Sequence, residues 1–449
     1  MSDLLSIGKS GVLAYQNALA GISENVVNAN NDGFARRQVT MKEQYTTAGP
    51  NFLYRGSQSF NGVQAADVSR VWDQYAASKA WSANSDNSQA STRSQFFGTV
   101  QSSLDDSDSG VGVKLTAIFT TGNALAVNPT DPTLRQSFLY ALQDATGAIN
   151  KTAANLAKVS TTVSTQASEA VGQVNDALAA LARINVALKT APKGTSGRAS
   201  LEDQRDMVIG TISDKMGIDV TLDSFGAATL RMNNAGGPML LDSNNIIPGQ
   251  VGLQTAADGR ISMSVTIDGS TSAVSPMSGA LAGYTEAANQ IAGRRQQLDT
   301  IAANLVQQIN AWNAQGTDLN GNPGADLLSG TDAASLALSV NDGNLIAAAD
   351  LTAPNGNLLT LSALRGSNGA ETSWRSMVND QALRVQSAQT LATSASATKD
   401  GAYSALDNVS GVNLDTEAAD LMRFQQAYSA SAKIIQTARD TMQAILALF

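Results

Sequence analysis

The composition limits the kinds of function open to this chain. Its 449 residues exceed one ordinary domain, so we expect two or three folded regions. Hydrophobic residues make up 43% of the chain and charged residues 15%, a balance typical of globular rather than disordered proteins. Histidine and cysteine are both absent, which excludes serine triads, thiol catalysis, histidine-zinc sites and disulfides.

The net charge of -9 opposes tight binding to nucleic acid or to an anionic membrane, because both carry negative charge themselves. We therefore predict no nucleic-acid partner. We also predict no membrane insertion, since no apolar run is long enough to span a bilayer. The first residues, MSDLLSIGKSGVLAYQ, contain Asp3 and mix polar with apolar residues, unlike a cleavable signal peptide. We expect any secretion to use another route.

The first predicted element is a helix from about Leu4 to Ala29, for which Ser2 or Asp3 is available as N-cap. Its apolar positions recur in alternating steps of three and four, the heptad spacing with which helices pack on one another. Gly33 suits a left-handed C-cap beyond the end of the helix. We expect a seam along one face of this helix.

A long helix is predicted in the middle of the chain. Asp131 is a suitable N-cap and Pro132 a suitable first helical residue. If unbroken over residues 134–188, this helix extends roughly 80 Å at 1.5 Å per residue. Gly147 and Gly172 are the positions at which it could be interrupted. Either way we expect a rod-like element that belongs to a bundle.

The hydrophobic period changes to two in residues 218–268, as in a half-buried strand. Asp258-Gly259 is a plausible hairpin turn between two such runs. We therefore predict a small antiparallel β domain that is inserted between helices. The alternating apolar residues are Ile218, Val220, Leu222, Ile261, Met263, Val265 and Ile267.

Two further helices are predicted, over residues 281–312 and, with a weaker pattern rich in Ser, Thr and Ala, over about 374–408. The sequence thus predicts a mainly α fold with an inserted small antiparallel β domain (α+β), a long helical bundle or rod, and coiled-coil-like terminal helices. The predicted regions are a terminal assembly region (1–40 and 410–449), a helical rod domain (41–212 and 273–409) and a β domain (213–272).

The last predicted helix repeats the heptad spacing of the first. Taken singly, each terminal helix is equally well explained as an ordinary amphipathic helix. A seam at both ends favours pairing of the two ends with each other and with neighbouring subunits. The residues predicted to mediate assembly are Leu5, Val12, Leu19, Ile22, Val26, Leu414, Leu421, Tyr428, Ile435, Met442 and Leu446.

Three motifs suggest chemistry, and we interpret each as structural. The segment 318–324 resembles the start of a calcium loop, but Pro323 replaces the required Gly and Ser329 the bidentate Glu, which favours a polar turn. Residues 110–112 lack the third Gly of a dinucleotide fingerprint. The acidic residues of 202–206 favour a solvated, ion-paired face over acid-base catalysis. We predict no catalytic, cofactor-binding or metal-binding residue.

Two segments resemble the terminal signatures of flagellar rod, hook and hook-associated proteins. The first, ALAGISENVVNANNDGFARR over residues 18–37, has the family pattern of a helix, Asn-Ala-Asn, Gly, an aromatic and a basic residue; Asp32 and Phe34 depart from it mildly. The second, SGVNLDTEAADLMRFQQAYSASAKIIQTA, begins at Ser410 and is most similar to the members that join the hook to the filament. The stretch 201–206 and residues 316–324 are similar to those members too.

This resemblance implies a structural subunit of the extracellular axial tube, without catalysis or cofactor. It implies self-assembly into a ring or short tube at the distal end of the hook, with the hook protein and hook-associated protein 3 as neighbours. It also implies export through the flagellar type III apparatus with the help of a cytoplasmic chaperone.

Three alternatives remain open at the level of the sequence. A hook or distal-rod subunit shares the terminal signatures but should lack the long middle helices. A secreted coiled-coil effector or adhesin explains the heptads and the acidity but not the paired signatures. An enzyme could use only carboxylates, hydroxyls, Lys and Arg.

Overall fold

A computed structural model describes residues 2–31, 33–44, 62–104 and 107–447. Its helices are α1 (Ser2–Val27), α2 (Gln74–Ser103), α3 (Val111–Val127), α4 (Pro132–Thr190), α5 (Ser196–Lys215), α6 (Ala280–Ala314), α7 (Gly356–Thr360), α8 (Ala370–Ser410) and α9 (Leu414–Leu446). Its strands are β1 (Arg37–Glu43), β2 (Val63–Arg70), β3 (Ile218–Leu222), β4 (Ala228–Met232), β5 (Met239–Leu241), β6 (Gln250–Thr255), β7 (Ile261–Ile267), β8 (Ser270–Val274), β9 (Leu328–Ser329) and β10 (Ala337–Leu338). Two 3-10 segments, Gly343–Leu345 and Leu361–Arg365, complete the list. The predicted fold class, mainly helical with small antiparallel sheets, is confirmed.

The longest helix, α4, begins as its sequence predicts. The Asp131 carboxylate accepts hydrogen bonds from the backbone N–H groups of Thr133 (2.7 Å) and Leu134 (3.2 Å), which caps the first turn. The helix then runs for 59 residues, about 88 Å at 1.5 Å per residue. Neither Gly147 nor Gly172 interrupts it, and both face open space.

The core lies between α4, α6 and the helices packed around them. Phe138 on α4 and Trp312 on α6 are buried with ring centroids 5.9 Å apart, and the Trp312 indole donates a hydrogen bond to the carbonyl of Asn357. The predicted packing of the long middle helix in a bundle is confirmed, since α4 and α6 each bury an apolar stripe in the core. Their fully buried members include Leu142, Ile149, Leu156, Val163, Ile291, Leu298 and Ile309.

The helix α8 packs unevenly along its length. Trp374 near its start is 1% exposed and fills the core, whereas no residue between Ala388 and Ser410 is buried. The weaker pattern predicted for this helix is thus reflected in its packing. Within the described residues, no helix is both long and apolar enough to cross a membrane.

Two three-stranded antiparallel sheets, β3-β4-β5 and β6-β7-β8, lie along the second half of α4. The predicted hairpin turn is confirmed: Gly259 has a φ of 90°, and the strands pair Val251 with Val265. Side-chain amides of α4 hold the sheets. Asn175 both donates to and accepts from the backbone of Val251 at 2.9 Å, and Asn185 does the same with Ala228 at 2.8 Å.

The predicted division into three regions stays a prediction, but its limits do not coincide with the elements of the structure. The hairpin β1-β2 crosses the predicted limit at residue 40, with Arg37 paired to Arg70 and an irregularity between Thr40 and Met41. Strands of the inserted region extend from Ile218 to Val274, so the predicted limits 213–272 fall inside α5 and β8. A further segment of turns, with the short pair β9-β10, links α6 to α8.

Candidate functional site: the paired terminal helices

The helices α1 and α9 pack against each other in antiparallel directions. Asn25, near the end of α1, contacts Glu417 near the start of α9, and the rings of Tyr15 and Phe424 lie 6.1 Å apart in the middle. Gly8, near the start of α1, lies against Ile435. The predicted pairing of the two ends with each other is therefore present within one chain.

Small residues allow the two helices to approach closely. A Cβ atom added at Gly8 would lie 2.7 Å from Cγ1 of Ile435, and one at Gly11 would lie 2.6 Å from Oγ of Ser431. Real Cβ atoms essentially never approach this closely, so a larger residue at either position would force the side chain of Ile435 or Ser431 to move. Glycine weakens an isolated helix, but here Gly8 and Gly11 form part of the surface that contacts α9.

The buried stripe on α1 is displaced by one residue from most of the predicted assembly positions, although Ile22 belongs to both. On α1 it consists of Gly8, Gly11, Ala14, Ala18, Gly21, Ile22 and Asn25. On α9 the buried residues are Glu417, Ser431 and Ala438. Most of the larger apolar residues predicted to mediate assembly are half-buried or exposed beside this contact, whereas Ile22 is buried and Ile435 lies against Gly8.

The predicted assembly residues therefore differ in exposure. Ile22 is buried, whereas Leu5, Val12, Leu19, Leu421 and Ile435 are half-buried and remain partly accessible beside the α1–α9 contact. The exposed members are Val26 (43%), Leu414 (52%), Tyr428 (37%), Met442 (48%) and Leu446 (67%). Their role in assembly stays a prediction.

A buried group of charges attaches the terminal pair to α5. The Arg37 guanidinium donates from Nη2 to Oδ2 of Asp203 at 2.5 Å, and Nε of Arg70 lies 2.8 Å from the other carboxylate oxygen. Arg70 also donates to Asp206 at 2.6 Å. Burial raises the pKa of the Asp203 carboxyl, while the hydrogen bond from Arg37 and the positive charges of Arg70 and Arg37 oppose that shift.

The interpretation of residues 202–206 as a solvated face is thus corrected in one respect. These carboxylates are ion-paired as expected, but Asp203 is only 6% exposed. The reason is long-range: β1 and β2 bring Arg37 and Arg70, more than 130 residues away in sequence, onto α5. Arg205 continues the group toward the β region, since it donates to the carbonyl of Gly226 at 2.6 Å.

A second polar contact ties the start of α9 to the segment before β1. The backbone N–H of Arg36 donates to the carbonyl of Ser410 at 2.8 Å, and its side-chain Nε donates to Glu417 at 2.6 Å. The Asn25 amide donates to the other Glu417 oxygen at 3.0 Å. Asn25, Arg36 and Arg37 lie in the signature segment 18–37, but their partners on α5 and α9 are more than 160 residues away in the chain and could not be predicted from local spacing.

The calcium-like segment is a polar turn. One carboxylate oxygen of Asp318 accepts hydrogen bonds from the backbone N–H groups of Asn320 and Asn322, both at 2.8 Å. That carboxylate is used to close the turn. Among the described residues there is no group of three or more acidic side chains arranged to hold a metal ion.

Two family models match the chain. The helical domain of the flagellar hook-associated protein FlgK matches residues 97–328, more than half of the chain. The C-terminal region of the flagellar basal body rod proteins FlgEFG matches residues 405–448, which contain α9.

Curated relatives and a solved structure agree with these matches. The flagellar hook-associated protein 1 of Salmonella typhimurium is 24% identical over 236 residues, 52% of this chain and 42% of the relative. That of Bacillus subtilis is 22% identical over 230 residues, 50% of this chain and 45% of the relative. The chain thus spans less than half the length of these relatives.

The structure of the flagellar hook junction protein FlgK from Burkholderia pseudomallei shares the fold. It superposes with a TM-score of 0.50 at 23% identity, over 56% of this chain and 46% of that one.

Proposed function

Because the chain belongs to the family of the flagellar hook-associated protein FlgK, we propose that it is a structural subunit of the bacterial flagellum. In this proposal it polymerises at the distal end of the hook and forms the junction with the filament. The support comes from the matched helical domain, from relatives that are flagellar hook-associated proteins, and from the paired terminal helices.

The observation that carries the proposal is the outer stripe of α9, which we define as Leu414, Tyr428, Met442 and Leu446. These residues follow the heptad spacing and are all exposed, although each is apolar or aromatic. Such a stripe along one helix is typical of a surface that a further helix covers. A neighbouring copy of the chain supplies that helix in the proposal.

The protein works by assembly rather than catalysis in this account. The acidic residues that suggested chemistry are engaged in structural contacts: Asp203 and Asp206 with arginines, and Asp318 with its own turn. The relatives are structural flagellar proteins, which supports the same reading.

The proposed partners follow from this role. They are further copies of the chain in a ring or short tube, the hook protein on one side and hook-associated protein 3 on the other. A cytoplasmic chaperone and the flagellar type III export apparatus would handle the chain before assembly. The proposed location is the extracellular part of the flagellum.

The alternatives are weakened to different degrees. A hook or distal-rod subunit is the alternative with the most support, because the match over residues 405–448 is to a region of rod proteins. The helical-domain match over residues 97–328 favours the junction protein instead. A secreted coiled-coil effector or adhesin leaves both matches unexplained.

Electron microscopy of cells that lack this chain tests the proposal. We expect hooks of normal length that carry no filament, and filaments restored when the chain is supplied from a plasmid. Cells without hooks would support the hook or distal-rod alternative. Filaments of normal length on the deletion cells would contradict the proposal altogether.

A further inference from the structure

Two consecutive arginines reach different parts of the molecule. Arg36 contacts α9, through the hydrogen bonds to Ser410 and Glu417 and a 3.7 Å ion pair with Asp420. Arg37 contacts α5, through its 2.5 Å bond to Asp203. Successive residues of an extended segment point in opposite directions, which is how neighbouring side chains serve two separate elements.

Asn25 joins the two contacts. Its amide nitrogen donates to the carbonyl of Arg37 at 2.9 Å and to Glu417 at 3.0 Å, and its amide oxygen accepts from the N–H of Arg37 at 2.7 Å. Glu417 therefore divides its two oxygens between Arg36 and Asn25. The Asn25 amide, in a residue that is only 1% exposed, therefore bonds both to Glu417 on α9 and to the backbone of Arg37.

Most of the charge in this arrangement is shielded from water, although the Arg36 side chain is 28% exposed. The side chains of Glu417 and Arg37 are each 1% exposed and that of Asp203 is 9% exposed. A buried charge without its partner is strongly unfavourable. If α9 leaves, Glu417 no longer neutralises Arg36, and Asn25 loses one of its bonds. If the hairpin leaves α5, Asp203 loses both of its arginines.

We propose that Arg36 and Arg37 form a clasp of positioning residues, which couples the docking of α9 on α1 to the docking of the terminal pair on α5. The clasp presents the outer stripe of α9 at a fixed orientation to the helical rod, so that neighbouring copies meet in a common geometry. This inference rests on the proposed function only for its biological meaning. The coupling itself is a property of the single chain.

Amide hydrogen exchange on the purified full-length monomer tests the coupling. The variant Asp203→Asn removes the charge that faces Arg37 but lies on α5, where it bonds to neither α1 nor α9. We expect exchange in α9 to rise by about tenfold or more, while exchange in α4 and α6 stays as in the wild type. The conservative variant Asp203→Glu should restore most of the protection.

The matched control is Glu286→Gln, which removes a carboxylate from the Arg93–Glu286 ion pair on the rod. It should leave exchange in α9 unchanged. The inference is overturned if Asp203→Asn keeps α4 protected and α9 exchanges within about twofold of the wild-type rate.

A reciprocal variant covers the case in which Asp203→Asn unfolds the rod. The substitution Glu417→Gln lies on α9 and leaves α5 unchanged. If the two dockings are coupled, amide exchange should be faster in β1 as well as in α9. Faster exchange confined to α9 would show that the two dockings are independent. These measurements are made on the monomer and need no polymer. The exchange data can therefore contradict the clasp without contradicting the proposed function, and the deletion phenotype can contradict the proposed function without contradicting the clasp.

Discussion

The α4–α6 pair and the α1–α9 pair are both long helix contacts, but they use their apolar residues in opposite ways. The former buries large side chains such as Leu142 and Leu298 completely. The latter places Gly8 and Gly11 in the contact and leaves large residues such as Tyr428 on the outside. The first pair is complete within one chain, whereas the second has apolar surface left for other molecules.

The largest effect should follow from a cavity in the rod. Leu298→Ala removes a fully buried side chain between well-packed helices. We expect it to lower the free energy of unfolding by about 2–5 kcal/mol, measured by denaturant titration. The exposed Leu391→Ala on α8 is the control and should change it by less than about 0.5 kcal/mol. Equal losses in the two variants would remove the distinction between core and surface on which the comparison depends.

A smaller and more local effect should follow from widening the terminal contact. Gly11→Leu places a side chain where Oγ of Ser431 lies. We expect α1 and α9 to become accessible to limited proteolysis while the main melting transition of the rod is kept. The control Gly172→Ala adds a methyl group into open space on α4 and should leave proteolysis of the terminal helices unchanged. If Gly11→Leu is cleaved at the wild-type rate, the close approach is not what holds the pair together.

The stability of the fold should depend only modestly on pH, and the dependence should differ between Glu371 on the rod and Asp203 on α5. Hydrogen bonds from Arg365 hold the pKa of Glu371 below its ordinary value of 4.5. A lowered pKa in the folded state gives stability that is present above the unfolded pKa and is lost as the pH falls through the folded one. Between about pH 5 and pH 3, an interval around the ordinary carboxyl pKa, the melting temperature of Glu371→Gln should fall less than that of the wild type. A steeper loss in the variant would reverse the sign of this contribution.

Asp203 should act in the opposite direction, because its pKa is raised. A raised carboxyl pKa favours the protonated folded form, so this group alone makes the folded state less stable as the pH rises from the unfolded pKa to the folded one. The melting temperature of Asp203→Asn, followed by a label on α5, should therefore fall more steeply than that of the wild type as the pH is lowered over the same interval. An unchanged slope would show that the arginines cancel the effect of burial.

No effect on stability is expected from calcium. Calcium and its chelators should leave the melting temperature unchanged, because the Asp318 carboxylate already accepts two backbone hydrogen bonds. A rise of several degrees with added calcium would contradict the assignment of this segment as a turn.

The elements that could be predicted from the sequence carry strong local signals. The Asp131 cap, the large apolar stripes of α4 and α6 and the Asp258-Gly259 turn all depend on residues close together in the chain. Other elements went unrecognised: α2 buries Ser85, Ser88 and Thr92 in its contacts and so shows no apolar period. The hairpin β1-β2 was also absent from the prediction.

The site was predicted only in part, for a related reason. The heptad spacing located the correct helices, α1 and α9, and Ile22 within their contact, but most of the shared stripe is offset from the predicted residues, because spacing alone does not show which small side chains allow the close approach. The charged joint required partners such as Arg70 and Asp203, whose proximity arises only from the tertiary fold. Local spacing therefore indicates which helices pack, and the size of the side chains decides how.

The outer stripe of α9 gives the most direct test of assembly as the central claim. Tyr428→Asp and Met442→Asp place charges on exposed positions, so the monomer should fold and melt as the wild type does. Ser429→Asp, beside Tyr428 and also exposed, is the matched control for charge.

In deletion cells supplied with each variant, export into the medium is measured first and filaments are then counted by electron microscopy. We predict normal export of all three variants, filaments with Ser429→Asp, and bare hooks with the two stripe variants. Filaments of wild-type length on cells that export Tyr428→Asp and Met442→Asp normally would contradict the account.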